Sequence, residues 1–296
     1  MQMRNTKKCL ILTFAASWAL WISGALIFGV KSAAFRNLET LGTFSPLAAA
    51  AIVSRGLTQK RSGIVWRRSR GLRPALWCIG AFILPAALTV AGGAVYYLVF
   101  PSRFDPSLGL ISEALEGSGV TPEKYIAMLL VQSVTAAPAI NGLLLLCAEA
   151  GWRGYIYPGL RERLGARRAL LAGGALRGLW LAPLVVMGQS YGVSYPGYPA
   201  AGILAMCLTC TCEGILLTLL YEKTGSVIPC AIACGGMEAC ASLPQYVMAR
   251  GVDYCPLLGP DGVGLISGIV VTLTALTVFM TYFDDSGHCA ERQNDL

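Results

Sequence analysis

The sequence predicts an all-α protein, a polytopic bundle of about eight transmembrane helices that forms a single domain over residues 1–296. Of its 296 residues, 55% are apolar and only 13% are charged, and the mean hydropathy is +0.60. A water-soluble globule of this size has too little interior to hide so much apolar surface. The apolar residues also fall in long continuous runs, as in helices that cross a bilayer.

Eight apolar runs are the predicted spans, and each starts or ends near polar residues, Gly or Pro. In chain order they are Cys9–Val30, Ser45–Ser54, Ala75–Phe100, Tyr125–Ala150, Ala169–Met187, Pro199–Tyr221, Ser226–Met248 and Gly262–Phe283. The first run follows basic residues, as a signal peptide does, but it is about twice as long as a signal peptide's apolar core and lacks a clear cleavage site. We therefore expect an uncleaved first span.

The segment 122–165 is too long for one crossing at ~1.5 Å per residue. It is expected to break or kink near Pro138, because proline removes a helical hydrogen bond. One tilted helix with a cytoplasmic extension is the alternative.

Basic residues favour one orientation in the membrane. With the N-terminus inside, 16 of the 23 Lys and Arg residues fall on the cytoplasmic face, five fall outside and two within the membrane. The positive-inside rule then places both termini in the cytoplasm. The cluster between Arg55 and Arg73 could attract nucleic acid, but a loop beside anionic lipid explains the same charges. Membrane lipid is the expected partner, and nucleic acid is not.

The 11 cysteines do not form the pattern of a disulfide framework, because nine lie inside apolar runs. Buried thiols usually behave as small apolar side chains. Cys207, Cys210 and Cys212 lie close together, but no His accompanies them, so we expect packing rather than a metal site. No metal or other cofactor is predicted.

Three segments of the apolar runs combine small, aromatic and charged residues. Residues 148–153 read Ala-Glu-Ala-Gly-Trp-Arg, residues 177–184 read Arg-Gly-Leu-Trp-Leu-Ala-Pro-Leu, and residues 224–229 read Thr-Gly-Ser-Val-Ile-Pro. With Phe-Ser-Pro-Leu-Ala at 44–48, they make the chain similar to the CAAX protease and bacteriocin-processing (CPBP, or Abi) family of intramembrane glutamic proteases. The resemblance covers about residues 44–241, in the family's order and spacing.

The first family motif is Glu-Glu followed by three residues and Arg. The resemblance implies that the first Glu activates the attacking water, and this chain has Ala148 there. The second Glu and the Arg are kept as Glu149 and Arg153. A methyl group cannot accept a proton.

The other two family motifs have also lost their reactive side chains. The second motif is an aromatic residue, three residues and His, where this chain has Arg177 and Leu181; Trp180 fits the pattern. The third, His followed by three residues and Asn, falls on Cys234 and Glu238. The chain's single His is His288, in the C-terminal tail. The sequence therefore predicts the family's scaffold with no confident catalytic residue.

Five charged residues lie inside the predicted spans and are expected to face the bundle interior. Glu149 and Arg153 are four apart and can pair on one helix face. We expect Arg177 to form a buried pair with Glu238, since both bring charge to positions that are uncharged in the family. Glu213 and Trp180 complete the predicted binding residues. Counted along their helices, Glu149, Leu181 and Glu238 reach a similar depth, roughly 20–24 Å from the cytoplasmic ends.

The leading hypothesis is a catalytically degenerate family member, a pseudoprotease, that binds a ligand in the former active-site cavity. The resemblance implies a hydrophobic, prenylated or bacteriocin-like peptide, or a partner membrane protein, in peptide processing, export or immunity at a bacterial cell membrane. One alternative is an active endopeptidase that uses Glu149; another is a transporter subunit, although no inverted repeat is visible. Cys234 is a further candidate nucleophile if a cation stabilises its thiolate.

Overall fold

The computed structural model describes residues 2–54 and 72–283, with the side chains of residues 2–4 and Arg73 left aside. Within these ranges the chain is helical, and its sole strand-like pairing is an isolated bridge between Phe104 and Met248. The predicted all-α class is confirmed. The helices are α1 Gln2–Phe28, α2 Ala33–Gly42, α3 Ser45–Ser54, α4 Leu72–Val99, α5 Gly109–Ala114, α6 Pro122–Ser133, α7 Ala136–Gly151, α8 Tyr157–Trp180, α9 Ala182–Val186, α10 Ala200–Thr224, α11 Val227–Cys240 and α12 Ile269–Thr281.

Four helical stretches in the described part of the chain are long and apolar enough to cross a membrane: Asn5–Phe28, Pro74–Val99, Ala200–Thr224 and Val227–Val247. A fifth results if α6 and the helix that follows it are one bent span. The apolar helix α12 has 13 residues and α3 has 10, fewer than the ~20 that a crossing needs. The chain is an integral membrane protein, and the number of eight spans stays a prediction.

The expected break in the 122–165 segment is present, but it precedes Pro138. Helix α6 ends at Ser133, α7 begins at Ala136, and the two stretches meet at an angle of 43°. Pro138 is therefore in the first turn of α7, where a missing backbone N–H costs no hydrogen bond. A second kink lies at Gly165, whose φ of 77° is left-handed.

Glycines allow the central helices to touch backbone to backbone. A Cβ on Gly174 or Gly178 would lie 2.3 Å or 2.4 Å from a Cα atom of α10, at Thr211 and Cys207 respectively. Two glycines four residues apart form the small-residue stripe that lets membrane helices approach closely. A Cβ on Gly235 of α11 would lie 2.3 Å from the backbone nitrogen of Gly142 in α7. These contacts join α7, α8, α10 and α11 into one packed core.

The cysteines are part of this packing. All ten that the structure describes are free thiols, and six of them are buried. No group of three or more His, Cys, Asp or Glu side chains in the described ranges is arranged to hold a metal ion. The basic residues 55–70 and His288 lie outside the described residues, so the predicted topology is untested.

Candidate functional site

Glu149 lies at the centre of the helix core, near the end of α7, and its side chain has no exposed surface. Two guanidinium groups hold its carboxylate. Arg153 Nη1 lies 2.7 Å from Oε2, and Arg177 Nη1 donates a hydrogen bond to Oε1 at 2.5 Å. The predicted pair of Glu149 with Arg153 is confirmed, and each carboxylate oxygen has its own cation.

The two contacts differ in geometry. Arg177 makes an aligned hydrogen bond, whereas Arg153 makes a close ionic contact without hydrogen-bond alignment. Glu149 Oε2 and Arg153 Nη1 are both buried and have no aligned hydrogen-bond partner among the described residues. Each therefore keeps unused hydrogen-bonding capacity in the membrane interior, where an unmade bond is costly.

The predicted pair between Arg177 and Glu238 is wrong. Arg177 uses Nη1 on Glu149 and donates from Nη2 to Cys234 Sγ at 3.1 Å, and no ion pair within the described residues joins it to Glu238. The Glu238 side chain is exposed, and it lies one turn beyond Cys234 on α11. The Arg177 guanidinium instead pairs with the fully buried carboxylate of Glu149.

The side chains at the remaining family-equivalent positions form no hydrogen bond or ion pair with this charged centre among the described residues. Ala148 is buried, with 1% exposure, in an apolar cluster. Leu181 is half-buried and packs against the same cluster. Glu213 is also half-buried and forms no ion pair in the part of the chain that the structure describes. The site therefore unites Glu149, Arg153, Arg177 and Cys234, and leaves out Leu181, Glu213 and Glu238.

Trp180 belongs to an aromatic cluster beside the charged centre. Its ring centroid lies 5.2 Å from that of Trp21 and 5.9 Å from that of Trp152. Its indole N–H donates to Ser17 Oγ at 2.6 Å, and its carbonyl oxygen accepts from Trp18 Nε1 at 2.8 Å. Trp180 thus joins α8 to α1, and its predicted binding role stays a prediction.

A π-helical turn, Trp152–Ile156, joins α7 to α8 and positions Arg153. Such turns are rare and frequent at functional sites. The turn follows Gly151, where a Cβ would lie 2.3 Å from Pro46 Cβ. Pro46, from the early family-like segment, therefore packs directly against the backbone of the site.

A small cavity of about 30 Å³ lies between the π turn, α8 and α10. Arg153, Arg177 and Thr218 line it together with Trp152 and the small residues Gly173 and Gly214. A buried water needs ~10–15 Å³ by this measure. The cavity therefore has room for about two waters, and not for a peptide.

Two carboxyl groups outside the membrane-spanning helices have a raised pKa. Burial, together with the nearby Glu238 carboxylate, raises the pKa of Glu39 in α2. Burial raises the pKa of Asp261, in the 248–268 loop, from 3.8 to about 6, although a hydrogen bond from Gln245 opposes the shift. Asp261 Oδ1 has no hydrogen-bond partner among the described residues.

Sequence reasoning missed the π turn, the aromatic cluster and the bond between Arg177 and Glu149. The tryptophans of these helices, Trp18, Trp21, Trp152 and Trp180, could have indicated an aromatic cluster. A buried indole packs against other rings and needs an acceptor for its N–H. The π turn has no comparable sign in the sequence.

Comparison with known proteins adds one finding. Residues 122–240 match the family model described as type II CAAX prenyl endopeptidase Rce1-like. The match contains the three segments that carried the sequence resemblance, and it confirms that resemblance. No curated protein matches the chain.

Proposed function

Because residues 122–240 belong to the type II CAAX prenyl endopeptidase Rce1-like family of CPBP membrane proteins, we propose that this protein is a catalytically inactive member that binds a prenylated or otherwise hydrophobic peptide. One observation carries the proposal. The Glu149 carboxylate is fully buried, and both of its oxygens are held by guanidinium groups.

That arrangement is unsuited to glutamic protease chemistry. A general base must take a proton from water, and two adjacent cations favour the ionised carboxylate over the protonated one. The position of the family's water-activating Glu is Ala148, and no imidazole lies among the described residues to share the proton. Arg177 also fills the space beside Glu149 that a substrate carbonyl and water would need.

The apolar part of the ligand is assigned to a groove on the outside of α4, since the central cavity is too small for it. The groove is an open apolar face of α4, lined by Leu76, Trp77, Ile79, Gly80, Ile83 and Leu84. Helix α4 packs on the site helix α11, because a Cβ on Gly236 would lie 3.0 Å from Pro85 Cγ. Prenyl chains suit such a groove better than the bacteriocin-like alternative, because the matched family is named for prenyl endopeptidases.

Photocrosslinking with a prenylated CAAX peptide tests the binding proposal. We expect saturable labelling of α4, recovery of the peptide intact, and no labelling by the peptide without its prenyl group. Gly80→Phe should block the groove, whereas Leu98→Phe, at an exposed position of the same helix, should not. Equal labelling of both variants would refute the groove.

One contact favours a second candidate function. Arg177 Nη2 lies 3.1 Å from Cys234 Sγ, and a cation beside a thiol favours the nucleophilic thiolate, although the burial of Cys234 opposes it. Cys234 would then be the nucleophile of a thiol peptidase. Peptide cleavage that is lost in Cys234→Ala but kept in Glu149→Gln would establish it.

A further inference from the structure

The cavity beside the ion pair is lined by Trp152, whose indole N–H lacks a partner in the described part of the chain. Trp152 and Arg153 are each 4% exposed. Trp152 Nε1 is buried and has no hydrogen-bond partner among the described residues. Arg153 Nη1 lies 2.7 Å from Glu149 Oε2, in an ion pair that is not aligned as a hydrogen bond. Both groups donate and cannot accept, so an acceptor in the cavity would satisfy the indole N–H and could also contact Arg153.

The charged side chains that line the cavity are positive, so they also favour a negatively charged ligand. Two guanidinium groups, from Arg153 and Arg177, line it, and none of its described lining residues carries a carboxylate. Glu149 contacts both guanidinium groups without lining the cavity, and it neutralises one of the two charges. Glu213, next to Gly214 on α10, interacts electrostatically with both arginines but forms no ion pair with either in the described structure.

Glycines create the space. A Cβ on Gly214 would have Arg153 Nη2 as its nearest atom, at 3.7 Å, and a Cβ on Gly173 would have Leu160 Cδ1 at 3.7 Å. Either methyl group would therefore fit without a clash and would occupy part of the cavity. With about 30 Å³ of room, the occupant is a single small ion or about two waters, and a phosphate or sulfate is too large.

We propose that this cavity binds a small inorganic anion, of which chloride is the probe, between Trp152 Nε1 and the guanidinium groups of Arg153 and Arg177. The anion accepts from the unpartnered Trp152 N–H and lies against the two guanidinium groups. The inference is independent of whether the protein cleaves peptides.

Thermal unfolding of the purified full chain in gluconate, titrated with chloride at constant ionic strength, tests the proposal. We expect a saturable rise in melting temperature, on the order of 5 °C, because an ion that binds only the folded state stabilises it by mass action. Gly214→Ala should remove the chloride response while leaving the helix intact, since alanine is the better helix former.

Two Trp→Phe variants separate the site from general destabilisation. Trp152→Phe removes the unpartnered N–H and should abolish the chloride response. Trp180→Phe removes an N–H that already bonds Ser17, so it should lower the melting temperature and keep the response. Diffraction from crystals in bromide should show an anomalous peak beside Trp152 Nε1. Identical melting in chloride and gluconate, a response retained in Trp152→Phe, or water alone in the cavity would each overturn the proposal.

Discussion

At the scale of single residues, Arg177 and Glu149 are expected to depend on each other. Removing Arg177 leaves Glu149 with one cation instead of two, and removing Glu149 leaves two guanidinium groups unpaired in the membrane interior. Glu149→Gln should cost about 3 kcal/mol of stability, because it strands two buried guanidinium groups. Arg177→Leu should cost less, because Glu149 keeps Arg153 as its partner. The measurement is unfolding in detergent by denaturant titration.

The double variant and a third carboxylate provide the controls. Arg177→Leu with Glu149→Gln should be more stable than the two single losses added together, by about 1–3 kcal/mol. Glu238→Gln should change stability little, since Glu238 is exposed. Additive losses, or a large loss in Glu238→Gln, would show that Arg177 has a different partner.

The raised pKa of Asp261 predicts how the stability of the folded protein depends on pH. Its folded pKa is raised from 3.8 to about 6 by burial, so the folded state favours the protonated acid. Its contribution is complete below about pH 4 and is lost as pH rises through 6. Asp261→Asn should remove this loss and gain about 1–2 kcal/mol at pH 7, after allowance for solvent screening.

Asp105 is the control, because its pKa is shifted in the opposite direction from that of Asp261. Both variants are measured by the same unfolding titration from pH 4 to 8. Hydrogen bonds from Ser107 and Gly109 lower its pKa, so its contribution is present at neutral pH and lost as pH falls. Asp105→Asn should therefore gain nothing at pH 7. An unchanged pH profile in Asp261→Asn would contradict the assignment.

Residue spacing predicted the Glu149–Arg153 pair because both lie on one face, four residues apart. It could not predict the partner of Arg177. That choice depends on how α8 and α11 are rotated about their axes, and a count of residues along each helix gives depth without rotation. Glu238 shared a face with Cys234, but the guanidinium of Arg177 stops at the thiol, one turn short of it.

At the scale of helices, the close contact of α8 and α10 depends on Gly178. Gly178→Ala would place a methyl 2.4 Å from the Cα of Cys207, so the helices must separate. We expect a loss of about 1–3 kcal/mol, as for other overpacked sites. Gly80→Ala is the control, since its Cβ would lie 3.5 Å from Leu84 Cδ1 at an ordinary contact distance. Folded yield by size-exclusion chromatography measures both, and equal yields would contradict the close packing.

Helix breaks followed the sequence only in part. The presence of Pro138 predicted a break, but the structure places the break at residues 134–135, because proline is accepted in a helix's first turn. The π turn at Trp152–Ile156 was not predictable. It follows Gly151, which packs on Pro46, a contact between segments about a hundred residues apart.

At the scale of the whole molecule, orientation in the membrane stays a prediction from charge. A cysteine introduced at Ser62 should resist a membrane-impermeant thiol reagent in intact cells and react after permeabilisation. The native cysteines are replaced or blocked first. Labelling of Ser62→Cys in intact cells would reverse the topology.

The all-α class and the resemblance of residues 122–240 to the family could be predicted from the sequence, because hydropathy sets the helices and three segments kept their order. The shape of the site could not be. Its central feature, a carboxylate between two guanidinium groups, combines the predicted Glu149–Arg153 pair with Arg177, which the resemblance aligns with an aromatic position of the family. That this charged core takes the place of the family's reaction centre is our proposal.

Peptide cleavage tests the central claim most directly. The purified protein in lipid nanodiscs is incubated with a prenylated CAAX peptide, and products are measured by mass spectrometry alongside Glu149→Gln and Cys234→Ala at matched folded amounts. Ala148→Glu is included and should remain inactive, because Leu181 and Cys234 still supply no imidazole. The account predicts no product above the Glu149→Gln background. Cleavage by the unmodified protein that disappears in Glu149→Gln would contradict it and would identify an active glutamic protease.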